Sequence, residues 1–188
     1  IGILPATENM PGGRAMKPGD IVTTMSGKTV EVQNTDAEGR LILADGLAYA
    51  TRYKPAAIID IATLTGACVV ALGSEAIGSL TKDARIAARL NRAGKVTHAR
   101  VWRLPLWPAY EGDIEPDIAN LDNAPKGGFA GSITAALFLK RFAGEGPWVH
   151  FDIYGWVPKA RPGRPKGGEC QAARAVLAVL ETRYGRAR

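Results

Sequence analysis

Asp36 and Glu38, two residues apart in Asn34-Thr35-Asp36-Ala37-Glu38-Gly39-Arg40, have side-chain types and a spacing that suit metal chemistry. The stretch joins a predicted strand to the N-terminus of a predicted helix. On irregular backbone beside Gly39, carboxylates at i and i+2 can converge on one cation in a way a regular helix would not permit. Their oxygens are hard donors of the kind that suit Mg²⁺, Mn²⁺ or Zn²⁺. Arg40 adds a permanent cation where an anion can bind, and the helix N-terminus reinforces it. Taken alone, an Asp-x-Glu pair is more often an acidic turn at a helix start than a metal site. Its meaning depends on what surrounds it.

The elements that must position this string follow from periodicity. Asp20–Thr24 and Thr29–Gln33 alternate with period two around Ser26-Gly27, a hairpin pattern. A helix is predicted over Arg40–Arg52, with Leu41, Ala44, Leu47 and Ala48 on one stripe. Ala56–Ala62 is a short run without a polar face, as in a strand covered on both sides. Thr65-Gly66 turns into a second apolar segment, and a long helix over 82–96 stops near Gly94. Val101–Leu104 reads as a strand cut by Pro105, Ile133–Phe142 as a helix, and Trp148–Ile153 as a strand. Pro158–Gly168 is predicted to be a loop, and Gln171–Tyr184 an amphipathic helix capped by Gly185. Strands alternating with helices indicate an α/β fold, a layered mixed sheet flanked by helices. No internal repeat and no linker between two domains is visible.

Several further residues carry a chemical and a plainer reading. His150 and Asp152 share a strand face at i,i+2 and are read as a structural hydrogen-bonded pair rather than as metal ligands. His98 is read as a surface residue and Glu8 as structural. Lys126-Gly127-Gly128 lacks the spacing of a phosphate loop and is read as a turn. Trp102, Trp107, Trp148 and Trp156 are assigned to core or interface rather than to a base-stacking platform. Cys68 lies in an apolar stretch, where a thiol behaves as a small hydrophobe. With Cys170 as the second cysteine there is no disulfide framework, which fits a reducing cytoplasm.

Composition narrows the class. The 188 residues are 46% hydrophobic and 22% charged, which excludes collagen-like, disulfide-scaffold and fully disordered chains. No apolar run approaches the ~20 residues of a membrane-spanning helix. The net charge of +6 resides in the last thirty residues, whose eight basic side chains (Lys159, Arg161, Arg164, Lys166, Arg174, Arg183, Arg186 and Arg188) face two acidic ones. A solvated loop and helix face is favoured there over a polyanion site. The chain opens on Ile1-Gly2-Ile3-Leu4 without an initiator Met or a leader, and reads as a piece of a longer protein.

The string Asn34–Leu41 resembles the signature of the leucyl (cytosol) aminopeptidases. The likeness extends in the family's order through Pro5–Pro11, Pro18-Gly19-Asp20, Ala62–Ala67, Leu104-Pro105-Leu106 and Phe151-Asp152-Ile153. It implies a two-metal peptidase, with Zn²⁺ or Mn²⁺ as the ions. Asp36 then matches a ligand of one metal, and Glu38 the carboxylate bridging both. Arg40 matches the catalytic arginine, holding a bicarbonate that serves as general base. Thr63, Leu64 and Gly66 match the loop lining the substrate site. A bridging carboxylate holds such ions ~3.5–4 Å apart, where they activate water and stabilise an oxyanion.

The resemblance also implies that residues 1–188 are the C-terminal part of a catalytic domain. The remaining ligands (a lysine amine and two aspartates) and a catalytic lysine would lie before the Pro5 block, beyond a separate N-terminal domain. The isolated 188 residues are therefore expected to be inactive or nearly so. Peptide substrates, a homohexamer and a cytoplasmic location are further implications. Two departures, Tyr154 in Asp152–Trp156 and the stretch Lys166–Gln171, resemble a divergent bacterial branch, so a leucine preference is not assigned. Two other roles remain open at this level: DNA binding through the basic tail, and a purely structural or assembly fragment.

Overall fold

In the computed structural model the chain runs β1 (Ile21–Thr23), β2 (Thr29–Glu31), a 3-10 turn (Thr35–Ala37), α1 (Glu38–Thr51), β3 (Ile58–Ala62), α2 (Gly66–Leu72) and β4 (Ile77–Leu80). It continues through α3 (Ala84–Val96), β5 (Val101–Arg103), a 3-10 stretch (Pro108–Ile114), β6 (Leu121–Asp122), α4 (Gly131–Lys140), β7 (Trp148–Asp152), β8 (Trp156–Val157), β9 (Gly167–Gly168) and α5 (Ala173–Tyr184). The structure describes residues 1–8 and 10–185; Asn9 of the Pro5–Pro11 block and Arg186 and Arg188 of the basic tail lie outside them. The architecture is the mixed α/β one expected. Two compact units emerge, Ile1–Ile58 with Trp107–Gly146, and Ile59–Leu106 with Pro147–Arg188. Each unit draws on two separated stretches, so no linker composition marks the divide.

In the first unit β1 and β2 form the expected antiparallel hairpin, with Val22 opposite Val30. Gly27 closes its turn at φ +83, a left-handed conformation that costs glycine nothing. The two-residue β6 adds in parallel to β2, pairing Val30 with Leu121 and Glu31 with Asp122. Such a short strand exists only through its partner, and periodicity gave no sign of it. Helix α1 begins two residues before the predicted start, so Glu38 and Gly39 are helical and only Asp36 stands on the 3-10 turn. Helix α1 packs on α4, which also meets the 3-10 stretch. Ser132 and Thr134–Leu139 of α4 are all buried, which explains why this helix is apolar around its circumference. Glu111 ties the far end of α4 to the 3-10 stretch, accepting from Lys140 Nζ at 2.8 Å and Arg141 at 3.0 Å. The Lys140 hydrogen bond holds the Glu111 carboxyl below its ordinary value, with both cations adding to the effect against partial burial.

In the second unit the strand order is β3-β7-β4-β5, with β4 parallel to β5 and antiparallel to β7. One core joins Ile77, Leu90, Val101, Val149, Phe151, Ile153 and Ala175, with Ile59, Ile86, Val176 and Val179 packed against it. Ile86, Leu90 and Ala93 at helical spacing bring α3 into this core, and Asp83 caps its N-terminus by accepting from Arg85 and Ile86 N–H at 2.8 and 3.1 Å. Gly94 does not stop the helix. It is buried within α3, where an added Cβ would meet Val101 at 3.2 Å, and the chain leaves the helix at His98, with φ +54. His98 is exposed, as expected.

Three further expectations meet the structure in detail. Strand β3 is an outer strand of its sheet, covered on both faces at mid-strand, where Ile59 packs on the core and Asp60 is buried, and open only at Ile61, 37% exposed. The Pro158–Gly168 span is not simply a loop: β8 and β9 pair across it, and Arg161 bridges to Arg164. Of the four tryptophans Trp148 is core, while Trp102, Trp107 and Trp156 are 64%, 57% and 44% exposed, which leaves them the interface half of that reading. Their neighbouring apolar letters reflect strand ends and turns, not burial.

Candidate functional site

The first unit presents Asp36, Glu38 and Arg40 from a turn whose geometry is dictated by two asparagines. Asn34, in extended backbone, caps the 3-10 turn by accepting from Asp36 N–H at 2.9 Å. Asn123, directly after β6, crosses behind the same turn. Its Oδ1 accepts from Gln33 and Asn34 N–H at 2.8 and 3.2 Å, while its Nδ2 donates to the Asn34 and Ala37 carbonyls at 2.7 and 3.4 Å. Beside it, Asp122 Oδ1 accepts from Gln33 Nε2 at 3.2 Å. Asp122 and Asn123 are both fully buried. The turn projects Asp36 into solvent and leaves Glu38 half-buried at the first residue of α1, while Arg40 is 7% exposed. Among the described residues neither the Asp36 nor the Glu38 carboxylate is taken up by an ion pair or a side-chain hydrogen bond, so both retain acceptor capacity.

These carboxylates fit part of a divalent-cation site. They are hard oxygen donors, uncommitted, two residues apart where the 3-10 turn passes into α1. Among the described residues no group of three or more His, Cys, Asp or Glu gathers to hold a metal by itself. Two carboxylates supply a share of a coordination shell and leave further donors to be found.

The second unit holds the other predicted residues. Thr63, Leu64 and Gly66 occupy the turn from β3 into α2, with Thr63 and Gly66 exposed and Leu64 half-buried. Asp152, fully buried at the end of β7, organises that turn. It accepts from Leu64 N–H at 3.2 Å, Thr65 N–H at 3.0 Å and Thr65 Oγ1 at 2.5 Å. Thr65 Oγ1 in turn accepts from Cys68 N–H at 3.1 Å, capping α2. Cys68 is buried and its thiol donates to the Asp152 carbonyl at 3.3 Å, in keeping with its role as a packing residue. Gly155, at φ +69, lies against Thr63; a Cβ there would stand 2.8 Å from the Thr63 methyl. The adjoining corner is pinned by Gln171, whose Oε1 accepts from Tyr154 and Gly155 N–H, both at 3.0 Å, while its Nε2 donates to Ser74 carbonyl at 2.9 Å.

The His150–Asp152 face is structural, as read from sequence, but with different partners. His150 Nδ1 meets Asp60 Oδ1 at 2.5 Å, and Trp148 Nε1 donates to Asp60 Oδ2 at 2.6 Å. Asp152 serves the Leu64–Thr65 turn instead. Lys126-Gly127-Gly128 is irregular backbone and Glu8 is exposed. In the basic tail, Arg161 pairs with Glu75 and Arg164 with Glu169, so part of its charge is spent within the fold. The residues that sequence reasoning missed are Asn123 and Gln171. Neither belongs to a local motif, and each acts on backbone far away in sequence.

With this geometry in place, comparison with known proteins assigns the family. The profile for the catalytic domain of the cytosol aminopeptidase family matches residues 1–177, and the chain belongs to that family. Over 183 residues it is 55% identical to the probable cytosol aminopeptidase of Geobacter sulfurreducens and 51% identical to that of Roseiflexus castenholzii, in each case covering 96% of this chain and 37% of the relative. The crystal structure of the cytosol aminopeptidase from Coxiella burnetii superposes with a TM-score of 0.90 at 46% identity, covering 94% of this chain and 39% of that one. The chain thus spans little more than a third of the length of these relatives.

Proposed function

We propose that this chain supplies two of the carboxylate ligands of a metal-dependent aminopeptidase site. The observation that carries the reading is the uncommitted Asp36–Glu38 pair, at the passage from the 3-10 turn into α1 and two residues from buried Arg40, in a chain of this family. In the reaction, water adds to the first peptide carbonyl, a C–O bond forms and the C–N bond breaks. The proton of the water goes to the leaving amine, and a free amino acid departs. Asp36 and Glu38 would be among the residues that hold Zn²⁺ or Mn²⁺. When bound, such ions activate water and stabilise oxyanion charge. Arg40 contributes a fixed positive charge suited to an anion such as bicarbonate. The Thr63–Gly66 turn offers backbone groups to an extended peptide.

Since two carboxylates leave each ion short of donors, we expect the 188 residues alone to turn over slowly or not at all, and activity to require further ligands. A cytoplasmic location and a homohexamer belong to the same reading; no helix among the described residues is long and apolar enough to cross a membrane. The test is hydrolysis by the native polypeptide carrying these residues, using one peptide with a free N-terminus and the same peptide N-acetylated. Cleavage of the free form alone, abolished by chelation and restored by Mn²⁺, supports the reading. Equal cleavage of both, or indifference to chelator, contradicts it.

A further inference from the structure

The Asn123 side chain makes four hydrogen bonds, and all of them fall on the Gln33–Ala37 backbone that leads into the carboxylate pair. Its carbonyl oxygen gathers the N–H groups of Gln33 and Asn34, and its amide nitrogen gathers the carbonyls of Asn34 and Ala37. The Ala37 carbonyl lies directly between Asp36 and Glu38 in the chain. Asn123 is 0% exposed, so its own amide is out of water and a lost partner would leave one of its polar atoms unmatched. No other side-chain type offers both donors and acceptors in one planar group at this length except glutamine, which is one methylene too long for the site.

We infer that Asn123 is the positioning residue for Asp36 and Glu38, fixing the turn that carries Asp36 and the entry into α1 that carries Glu38. The inference rests on the metal-site reading above and extends it to a residue 87 positions beyond Asp36. Its role is indirect: it touches neither carboxylate and acts through the Asn34–Ala37 backbone. Groups that orient ligands from behind in this way typically govern metal affinity by 10–100-fold.

Two variants separate positioning from mere support. Asn123→Asp keeps the acceptor for Gln33 and Asn34 but turns an oxygen toward the carbonyls at 2.7 and 3.4 Å. Asn123→Ala removes the whole clamp. Asn120→Ala is the control, because Asn120 binds Thr29 at the other end of the same β2–β6 seam, accepting from its N–H at 2.9 Å. In the native polypeptide, hydrogen exchange over residues 32–38 and Mn²⁺ affinity by calorimetry are measured for all four proteins. The expected result is faster exchange confined to 32–38 and at least tenfold weaker Mn²⁺ binding in both Asn123 variants, with Asn120→Ala like the parent. Unchanged exchange at 32–38 overturns the inference whatever the metal does. Faster exchange with unaltered Mn²⁺ affinity overturns it too, reducing Asn123 to a structural strut. If both Asn123 variants fail to fold while Asn120→Ala folds, Asn123 is a fold determinant and the positioning role falls. If the parent protein binds no Mn²⁺ yet exchange rises as expected, the clamp stands and it is the metal-site reading that fails.

Discussion

Single side chains on distant strands set the two candidate loops. Asp152 accepts three hydrogen bonds from the Leu64–Thr65 turn from β7, and the Asn123 side chain accepts two and donates two on the Gln33–Ala37 turn from beyond β6. Replacing Asp152 by Ala strands two buried-side N–H groups and the Thr65 hydroxyl, and a loss of about 2–3 kcal/mol is expected from charge-assisted bonds of this kind. Urea unfolding of the variant measures it; a change under about 0.5 kcal/mol would show that the turn holds without its carboxylate. Gly155→Ala puts a Cβ at φ +69 and 2.8 Å from Thr63, so it should cost at least ~1 kcal/mol and displace Thr63, read as a raised KM with little change in kcat. The Asp36–Glu38–Arg40 string was legible from sequence because all three side chains lie within five residues. Asn123 and Asp152 were not legible as anchors, since their partners stand 89 and 87 positions away and only the strand pairing brings them together.

At the scale of elements, what the sequence showed was mostly what repeats. The β1–β2 hairpin and α3 follow from alternation or helical spacing, because burial of one face imposes that period. Strand β7 is buried at all five positions and carries no such period; it showed as a short run of aromatic and β-branched residues. Strands β4, β6, β8 and β9 did not show. Ile77–Leu80 is buried at every position and includes a glycine, and the others have two residues each, too few to carry a period. Their identity comes from the neighbour they pair with. Helix ends were blurred for a related reason: Gly94 serves close packing inside α3, where a sequence rule reads a stop. The Asp83 cap gives an element-level prediction. Asp83→Ala should destabilise by about 1 kcal/mol, and Asp83→Asn by less, since an asparagine caps nearly as well; thermal melts of the two variants check the order.

Across the whole molecule, acid sensitivity follows from two anchored carboxylates. Burial pushes the Asp83 carboxyl up, but the Ile86 and Arg85 N–H groups outweigh it, aided by Arg85 and Arg89, and hold it below its ordinary 3.8. Glu111, bonded to Lys140, lies below its ordinary 4.5. Both are lower in the folded than in the unfolded chain, so their contribution is full above the ordinary values and is lost as pH falls through the folded ones. Stability should therefore fall below about pH 4.5, and Glu111→Gln should flatten that fall; an unchanged acid limb in the variant would assign acid unfolding to other groups. The +6 charge has no comparable reach, because Arg161 and Arg164 already hold acidic partners within the second unit.

If Asp36 and Glu38 are working metal ligands of a peptidase site, release of the N-terminal residue from a free-amine peptide by the native polypeptide must depend on Glu38, and it is measured against the Glu38→Gln variant at saturating Mn²⁺. A fall in kcat of at least about a thousandfold is expected, with the variant's unfolding midpoint within a few degrees of the parent's. Turnover within tenfold of the parent would show that Glu38 holds no metal the reaction needs.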